Sequence, residues 1–433
     1  MEGWCDLMDI AVLFLTMFLL IGIGVPIGYA IGFSTLVTII IYTDIPLVIV
    51  AQKAFTGVDS FPLMAIPFFI LAGTLMTHGG IARRILNFIN VFIGSVTGGL
   101  GIVTTVSCMF FGAISGSAIA TTSAMGSFMI PAMEEKKYDK SFAAAITASA
   151  GTIGIIIPPS IPFVIYGVVT NTSIGDLFIA GVIPGVLMAI ALILTCYIIS
   201  KRRGYVGDDT KMSWALAWKE FRSAIWALLS PIIVLGGIYG GIFTPTEAAV
   251  VSVVYSLVIG VFVYRELDFV KIKRALFDTL IINGITTFMI GLSMIFATYL
   301  SLNQVPQRIA AFLLEVTDNK ILLLLMINIF LLLVGCLIDN IPACIILAPI
   351  LLPVVVSLGM TPLQFGIVLT MNLAIGFITP PYGPNLFVAA SVANISVDKM
   401  FRQILPFILA LFIVLMICTY IPATTTLLVG MMR

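Results

Sequence analysis

Three short stretches of this chain carry residue types able to bind ions in an apolar setting. Asp339 opens Asp339-Asn-Ile-Pro342, midway along an apolar run over residues 320–357, and Ser115-Gly-Ser117 lies in a comparable run over 98–133. The third is Thr379-Pro-Pro-Tyr-Gly-Pro-Asn-Leu-Phe387, inside residues 363–393. An ionisable side chain is costly in hydrocarbon and by default marks a function with a partner to be named. Small hydroxyl residues and glycine allow a tight turn at membrane depth. There, hydroxyl oxygens and carbonyls of the incoming helix can replace water around a cation. Capping is the competing reading, since Ser117 and Asn340 are both good N-caps for the helix that follows, and a cap and an ion ligand can be one residue. For Asp339 the natural partner is a sodium ion shared with carbonyls around Gly335 to Ile338 and Gly376 to Thr379. Glu247, the other carboxylate set within an apolar run, has a structural explanation: Thr244-Pro-Thr-Glu247 reads as a capping box with proline at the first helical position.

The elements that must position these residues follow from composition and from proline. The chain has 433 residues, 61% hydrophobic and 9% charged, with a mean hydropathy of +1.19. A soluble globule carries about 25% charged residues, so the class is a polytopic membrane protein. Its apolar runs are continuous and not alternating, which makes the spans helices rather than barrel strands. The bilayer is therefore a partner, and a net charge of +1 gives no sign of a nucleic-acid partner. Six cysteines lie scattered through apolar segments without CxxC spacing and read as core residues; the single histidine, His78, rules out a multi-histidine metal site. Met1 to Asp9 has acidic residues and no Lys or Arg ahead of the first apolar run, unlike a cleavable signal peptide.

Crossings are expected at 10–24, 26–42 and 61–77, a reentrant hairpin at 98–133, a broken crossing at 141–170 and a crossing at 178–200. The series then recurs at 225–240, 246–264, 277–300, a hairpin at 320–357, a broken crossing at 363–393 and a last span at 403–428. The segments Ile81 to Phe92 and Leu267 to Phe277 are basic and amphipathic, fitting interfacial arm helices or topology anchors. Pro380, Pro381 and Pro384 each remove a backbone donor and obstruct the preceding turn, so the helix must break there. Backbone freed at that depth needs protein or a polar cavity to receive it, which marks a candidate binding site; a structural kink is the alternative.

A constant offset of 222 residues pairs Pro131 with Pro353, Gly154 with Gly376, Pro158 with Pro380, Pro159 with Pro381, Pro162 with Pro384 and Asp176 with Asp398. The expected organisation is thus a first repeat over 1–200, a cytoplasmic linker over 201–224 and a second repeat over 225–433. With the amino terminus periplasmic, 17 of the 21 basic residues fall on the cytoplasmic side, leaving Lys53, Arg308, Lys320 and Arg433 outside. Five crossings per half invert the second half relative to the first, a pattern of secondary transporters that hold substrate where the repeats meet. No Lys or Arg lies mid-span in either half. An anionic substrate would be held by helix amino-terminal ends after the breaks, from Ser160 and from Asn385, by hydroxyls and amides, and by nearby sodium ions.

The run Gly236-Gly-Ile-Tyr-Gly-Gly-Ile-Phe-Thr-Pro-Thr-Glu-Ala248, with Phe111-Gly-Ala-Ile-Ser-Gly-Ser117, Gly154-Ile-Ile-Ile-Pro-Pro-Ser160 and Gly376-Phe-Ile-Thr-Pro-Pro-Tyr-Gly-Pro-Asn-Leu-Phe387, resembles the large membrane subunit of tripartite ATP-independent periplasmic (TRAP) transporters. The resemblance covers nearly the whole chain. It implies an all-α, elevator-type sodium symporter of the ion-transporter superfamily, in the bacterial inner membrane. It also implies a separate small four-helix membrane subunit and a periplasmic binding protein that delivers an organic acid. Carried over by position, Ser115, Ser117 and the carbonyls of Gly154 to Ile157 would form one sodium site; Asp339, Asn340, Gly376 and Thr379, with Gly335 nearby, would form the other. Ser117, Pro159, Ser160, Pro381 and Asn385 are the expected substrate contacts. The first cation site lacks a side-chain charge, so the two are chemically unequal. Dicarboxylates, other carboxylic or keto acids and sialic acids all suit a charge-poor site.

Two other classes compete. A sodium-coupled dicarboxylate symporter could work without a binding protein. An intramembrane enzyme would need paired aspartates, a Ser/His dyad or metal ligands at membrane depth, a set this sequence does not supply.

Overall fold

The computed structural model describes residues 2–43, 45–207, 213–309, 319–381 and 383–432, of which 2–7 are described by backbone alone. Tyr382 of the proline-rich stretch, Arg433, and Lys211, one of the 17 basic residues expected on the cytoplasmic side, lie outside the described residues. All regular structure among the described residues is helical. In chain order the helices are α1 (Glu2–Gly22), α2 (Ile27–Tyr42), α3 (Leu47–Val58), α4 (Ala65–His78), α5 (Ile81–Ile93), α6 (Gly99–Ser115), α7 (Ala118–Glu135), α8 (Lys140–Gly151), α9 (Ile161–Thr170) and α10 (Ile174–Arg203). There follow α11 (Trp214–Tyr239), α12 (Pro245–Val258), α13 (Phe269–Leu302), α14 (Lys320–Gly335), α15 (Asn340–Ser357), α16 (Pro362–Gly376), α17 (Pro384–Ala393), α18 (Phe401–Tyr420) and α19 (Ala423–Met432). Among the described residues, 7 helices are long and apolar enough to cross a membrane.

Short turns join α6 to α7 and α14 to α15 as helical hairpins, and α8–α9 and α16–α17 are helix pairs interrupted around Pro158–Pro159 and Pro380–Pro381. The same local devices recur at nearly constant spacing. Ser117 caps α7 and, 222 residues on, Asp339 caps α15; Asp139 caps α8 and Thr361 caps α16 at the same interval. Asn171 and Asn394 end α9 and α17 in the left-handed conformation that asparagine tolerates.

Helix-breaking chemistry also explains where the elements differ from the sequence reading. The basic segment 267–277 and the crossing 277–300 are one helix, α13, 34 residues long. Asp268 caps it by accepting from Lys271 N–H at 2.7 Å, and no proline interrupts it afterwards. Its length is roughly 50 Å at 1.5 Å per residue, well beyond a bilayer core of about 30 Å. Likewise residues 214–224, expected to belong to the linker, continue into the next crossing as α11. The expected last span divides at Pro422 into α18 and α19. Helix α3 falls in a region read as loop, because 12 residues with one lysine are too short to signal a span.

Burial sorts the helices into an inner and an outer set. Every residue of α8 from Phe142 to Gly151 is buried, and so is every residue of α16 from Gln364 to Gly376. Their alanines, glycines and serines let neighbouring backbones approach closely. By contrast α2, α11, α12 and α13 expose Phe33, Ile40, Ile232, Val254, Phe277, Leu280 and Phe288, as lipid-facing helices do.

The halves interlock. Helix α9, after the first break, packs on α15 and α16, while α17, after the second break, packs on α7 and α8. Tyr166 Oη donates to Pro362 O at 2.7 Å across the first contact, and Asn385 Nδ2 donates to Ala148 O at 3.2 Å across the second. The basic turns gather at one end: Tyr138 Oη donates to Val206 O at 3.0 Å, its ring stacks on Tyr205 at 4.4 Å, and Arg203 donates to Gln403 at 2.6 Å. Arg84 pairs with Glu266 at 2.6 Å, and Arg83 and Lys136 line one cavity, so the arm helix α5 belongs to that same end.

Candidate functional site

The first hairpin turns on Gly116, whose φ of +62° is open to glycine without strain. A Cβ there would come 2.8 Å from Pro159 O. The turn is tied to the first break by Ile161 N–H donating to Gly116 O at 3.4 Å. Ser117 Oγ caps α7, accepting from Ala120 N–H at 3.3 Å. Thr121 Oγ1 donates to Ser117 O at 2.7 Å, Ser115 Oγ donates to the same carbonyl at 3.4 Å, and the two hydroxyls stand 3.0 Å apart. Gly154 sits against this cluster: a Cβ on it would be 2.5 Å from Thr121 Oγ1. Ser115, Ser117, Thr121 and the Gly154 backbone are thus brought together as a neutral oxygen-rich set. Thr121 was not foreseen, because a threonine one turn into a helix usually bonds back to its own backbone.

At the second hairpin the cap is Asp339, not Asn340. Asp339 Oδ1 accepts from Asn340 N–H at 2.6 Å, and Asn340 is the first residue of α15. Extended backbone at residue 339 puts its carboxylate, rather than the Asn340 amide, at the helix start. Asn340 is 3% exposed, and neither atom of its side-chain amide has a hydrogen-bond partner among the described residues. Gly335 and Gly376 cross in backbone contact, where a Cβ on Gly376 would lie 2.3 Å from Gly335 C. Thr379 Oγ1 is committed to Ile375 O at 2.7 Å.

In the breaks, Ser160 caps α9, accepting from Phe163 N–H at 3.4 Å while donating to Ile155 O at 2.6 Å. Asn385 caps nothing: Gly383 occupies the cap position of α17, and Asn385 is fully buried with Oδ1 unpartnered among the described residues. Pro381 is exposed, whereas Pro159 is buried.

The two hairpin turns meet across one cavity of about 270 Å³. Of the residues singled out in the sequence, Ser115, Ser117, Asp339 and Asn340 line it. Gly154, Gly335, Gly376, Thr379, Pro159, Ser160, Pro381 and Asn385 do not, although their neighbours Ile155, Ile161, Pro162 and Phe377 do. Thr74 and Thr77 of α4 and Thr286 of α13 also line it, common helix residues that no motif or spacing singles out. The first turns of α7 and α15 border the cavity at Ala118, Ile119 and Ile341. Their N–H groups precede the first full helical turn and have no intrahelical acceptor. Two helix amino termini therefore border a space with no Lys or Arg in its lining. Such a space attracts an anion through backbone dipoles, and hard oxygen donors beside it suit a monovalent cation.

An all-helical fold with paired hairpins, paired broken helices and a cavity where they meet defines a polytopic membrane transporter. The model of the family described as "Tripartite ATP-independent periplasmic transporter, DctM component" matches residues 14–424, and the chain belongs to that family. It is 46% identical over 401 residues to the isethionate TRAP transporter permease protein DctMQ of Oleidesulfovibrio alaskensis, covering 93% of this chain and 63% of that relative. It is 40% identical to the sialic acid TRAP transporter large permease protein SiaM of Vibrio cholerae, covering 94% and 95%. It is also 41% identical to the C4-dicarboxylate TRAP transporter large permease protein DctM of Pseudomonas aeruginosa, covering 92% of each. The YdaH transporter of Alcanivorax borkumensis shares the fold, with a TM-score of 0.63, 13% identity and 88% coverage of each chain. The family is one of transporters, not enzymes.

Proposed function

We propose that this chain is the permease of a sodium-coupled importer for a small organic acid, working in the bacterial inner membrane with its amino terminus periplasmic. The observation that carries the reading is the shared cavity. It joins Ser115 and Ser117 of one hairpin to Asp339 and Asn340 of the other, with two helix amino termini and no basic side chain in its lining. An anion held only by backbone dipoles is weakly compensated, and a cation bound beside it adds the missing charge. Binding of the two is then mutually favourable, which is the linkage symport needs. One sodium ion would be held by Ser115, Thr121, Ser117 O and the Gly154 backbone, the other by Asp339, Asn340 and the Gly335–Gly376 crossing. An elevator movement of the hairpins and broken helices would carry both ligands across. The inverted repeat expected from the 222-residue offset supports two matched cation sites.

The names of the relatives point to organic acids: isethionate, sialic acid and C4-dicarboxylates. The 46% identity to the isethionate permease makes a short sulfonate the first substrate to test, with short dicarboxylates next. A periplasmic binding protein would deliver the acid, and a separate small four-helix subunit would complete the membrane complex.

The test is uptake of radiolabelled isethionate or succinate into proteoliposomes holding this chain, its small subunit and the binding protein. Uptake is expected only with an inward sodium gradient. Equal uptake under a potassium gradient would sink sodium coupling, and equal uptake without the binding protein would favour the direct dicarboxylate symporter.

A further inference from the structure

A second cavity, of about 280 Å³, lies at the basic end between the arm helix α5 and the base of the first hairpin. It is separate from the hairpin-turn cavity and shares no lining residue with it. Its chemistry is graded. Arg83 and Asn87 from α5, with Glu135 and Lys136 from the end of α7, supply two cations, one carboxylate and an amide, and Asn90 adds a second amide. Leu86, Leu100, Val103, Phe128 and Met129 supply the apolar remainder.

Arg83, Asn87 and Asn90 fall at i, i+4 and i+7, so one face of α5 presents them together. The adjoining face, Ile81, Ile85 and Ile89, is buried against the protein. Such a helix lies at the level of lipid headgroups. The neighbouring acid, Glu134, is paired with Lys140 at 3.1 Å, whereas Glu135 lines the cavity. Basic pockets between helices at this depth take lipid headgroups. The volume sits just under the roughly 300 Å³ at which small-molecule clefts begin, enough for a headgroup and the first acyl carbons.

We propose that this cavity binds the headgroup of a glycerophospholipid bearing a primary amine. Arg83 and Lys136 would hold the phosphate, Glu135 the ammonium, and Phe128, Met129 and Val103 the start of an acyl chain. A phosphodiester alone would leave Glu135 facing an anion, whereas a headgroup that adds an ammonium gives this carboxylate a counter-charge. The lipid would bridge the arm helix to the hairpin. The proposal stands apart from sodium coupling and from the identity of the transported acid.

The experiment is native mass spectrometry of the purified full chain in detergent, supplemented with equimolar palmitoyl-oleoyl phosphatidylethanolamine, phosphatidylcholine and phosphatidylglycerol. One phosphatidylethanolamine per chain is expected to be retained preferentially. Arg83→Ala/Lys136→Ala is expected to lose it about tenfold, as when two charge-assisted contacts go, and Arg83→Lys/Lys136→Arg to keep it. Glu135→Gln should move the preference from phosphatidylethanolamine toward phosphatidylglycerol. Equal retention of all three lipids, or undiminished retention in the double alanine variant, would overturn the proposal. An unmoved preference in Glu135→Gln would overturn the assignment of the ammonium. Displacement of the lipid by equimolar soluble phosphoethanolamine would give the site to a free phosphomonoester instead.

Discussion

Asn340 keeps both amide atoms unpartnered among the described residues at 3% exposure, beside a carboxylate that has taken the helix cap for itself. A buried amide left in that condition costs roughly 1–3 kcal/mol. Asn340→Ala is therefore expected to leave the melting temperature of the sodium-free protein unchanged or higher, while weakening sodium binding at least about tenfold; a thermal-shift titration with NaCl reads both. Asp339→Asn should abolish sodium-driven uptake in proteoliposomes while size-exclusion chromatography still shows a folded protein, and undiminished uptake would remove Asp339 from the site. Thr121→Val deletes the hydroxyl that links Ser115 to Ser117 O. It should cost about 1 kcal/mol of stability and raise the sodium concentration for half-maximal uptake, against an unchanged requirement if the hydroxyl only buttresses the turn. At this scale the sequence was informative where chemistry is rare, as with an aspartate in an apolar run. It was uninformative where a common residue is recruited by geometry alone, as with Thr74, Thr121 and Thr286. It misassigned the cap because either Asp339 or Asn340 suits an N-cap, and only the backbone angle at 339 decides.

Among the elements, the crossing of α14 and α16 admits nothing larger than glycine. A Cβ on Gly376 would stand 2.3 Å from Gly335 C, a backbone atom that cannot swing aside. Gly376→Ala is expected to destabilise by about 1–3 kcal/mol or more through overpacking and to abolish uptake. Gly236→Ala, with nothing within 4 Å of the added carbon, should melt at the same temperature or slightly higher, since alanine is the better helix former. The first half carries the matching contact, where a Cβ on Gly112 would be 2.5 Å from Gly154 Cα. Breaks and hairpins were legible because proline and glycine act locally, whichever neighbours surround them. The continuity of α11 and α13 was not, because a change from polar to apolar composition resembles an element boundary but removes no backbone donor. Only a proline, glycine or cap ends a helix, and none stands at the junctions near 224 and 277.

For the molecule as a whole, the gathering of Lys136, Arg203 and Arg84 at one end agrees in kind with the charge bias read from the loops. Single-cysteine labelling of intact cells is expected to find Lys136 cytoplasmic and Lys53 periplasmic; labelling of both from the same side would refute the orientation. The interlock of the halves has a consequence for how the chain is made. The faces of α7 and α8 that α17 covers leave the ribosome about 250 residues before their partner. At translation rates of roughly 5–20 residues per second that is a wait of some tens of seconds. Through that interval the nascent first half sits in the bilayer with small-residue surfaces and polar turns uncovered, held by lipid or by insertion factors in place of its own later helices. A chain cut in the linker near residue 207 should accumulate only when both fragments are co-expressed, the amino-terminal fragment alone being cleared by membrane proteases. In that outcome the second fragment would act as the chaperone of the first, delivered late by the order of synthesis.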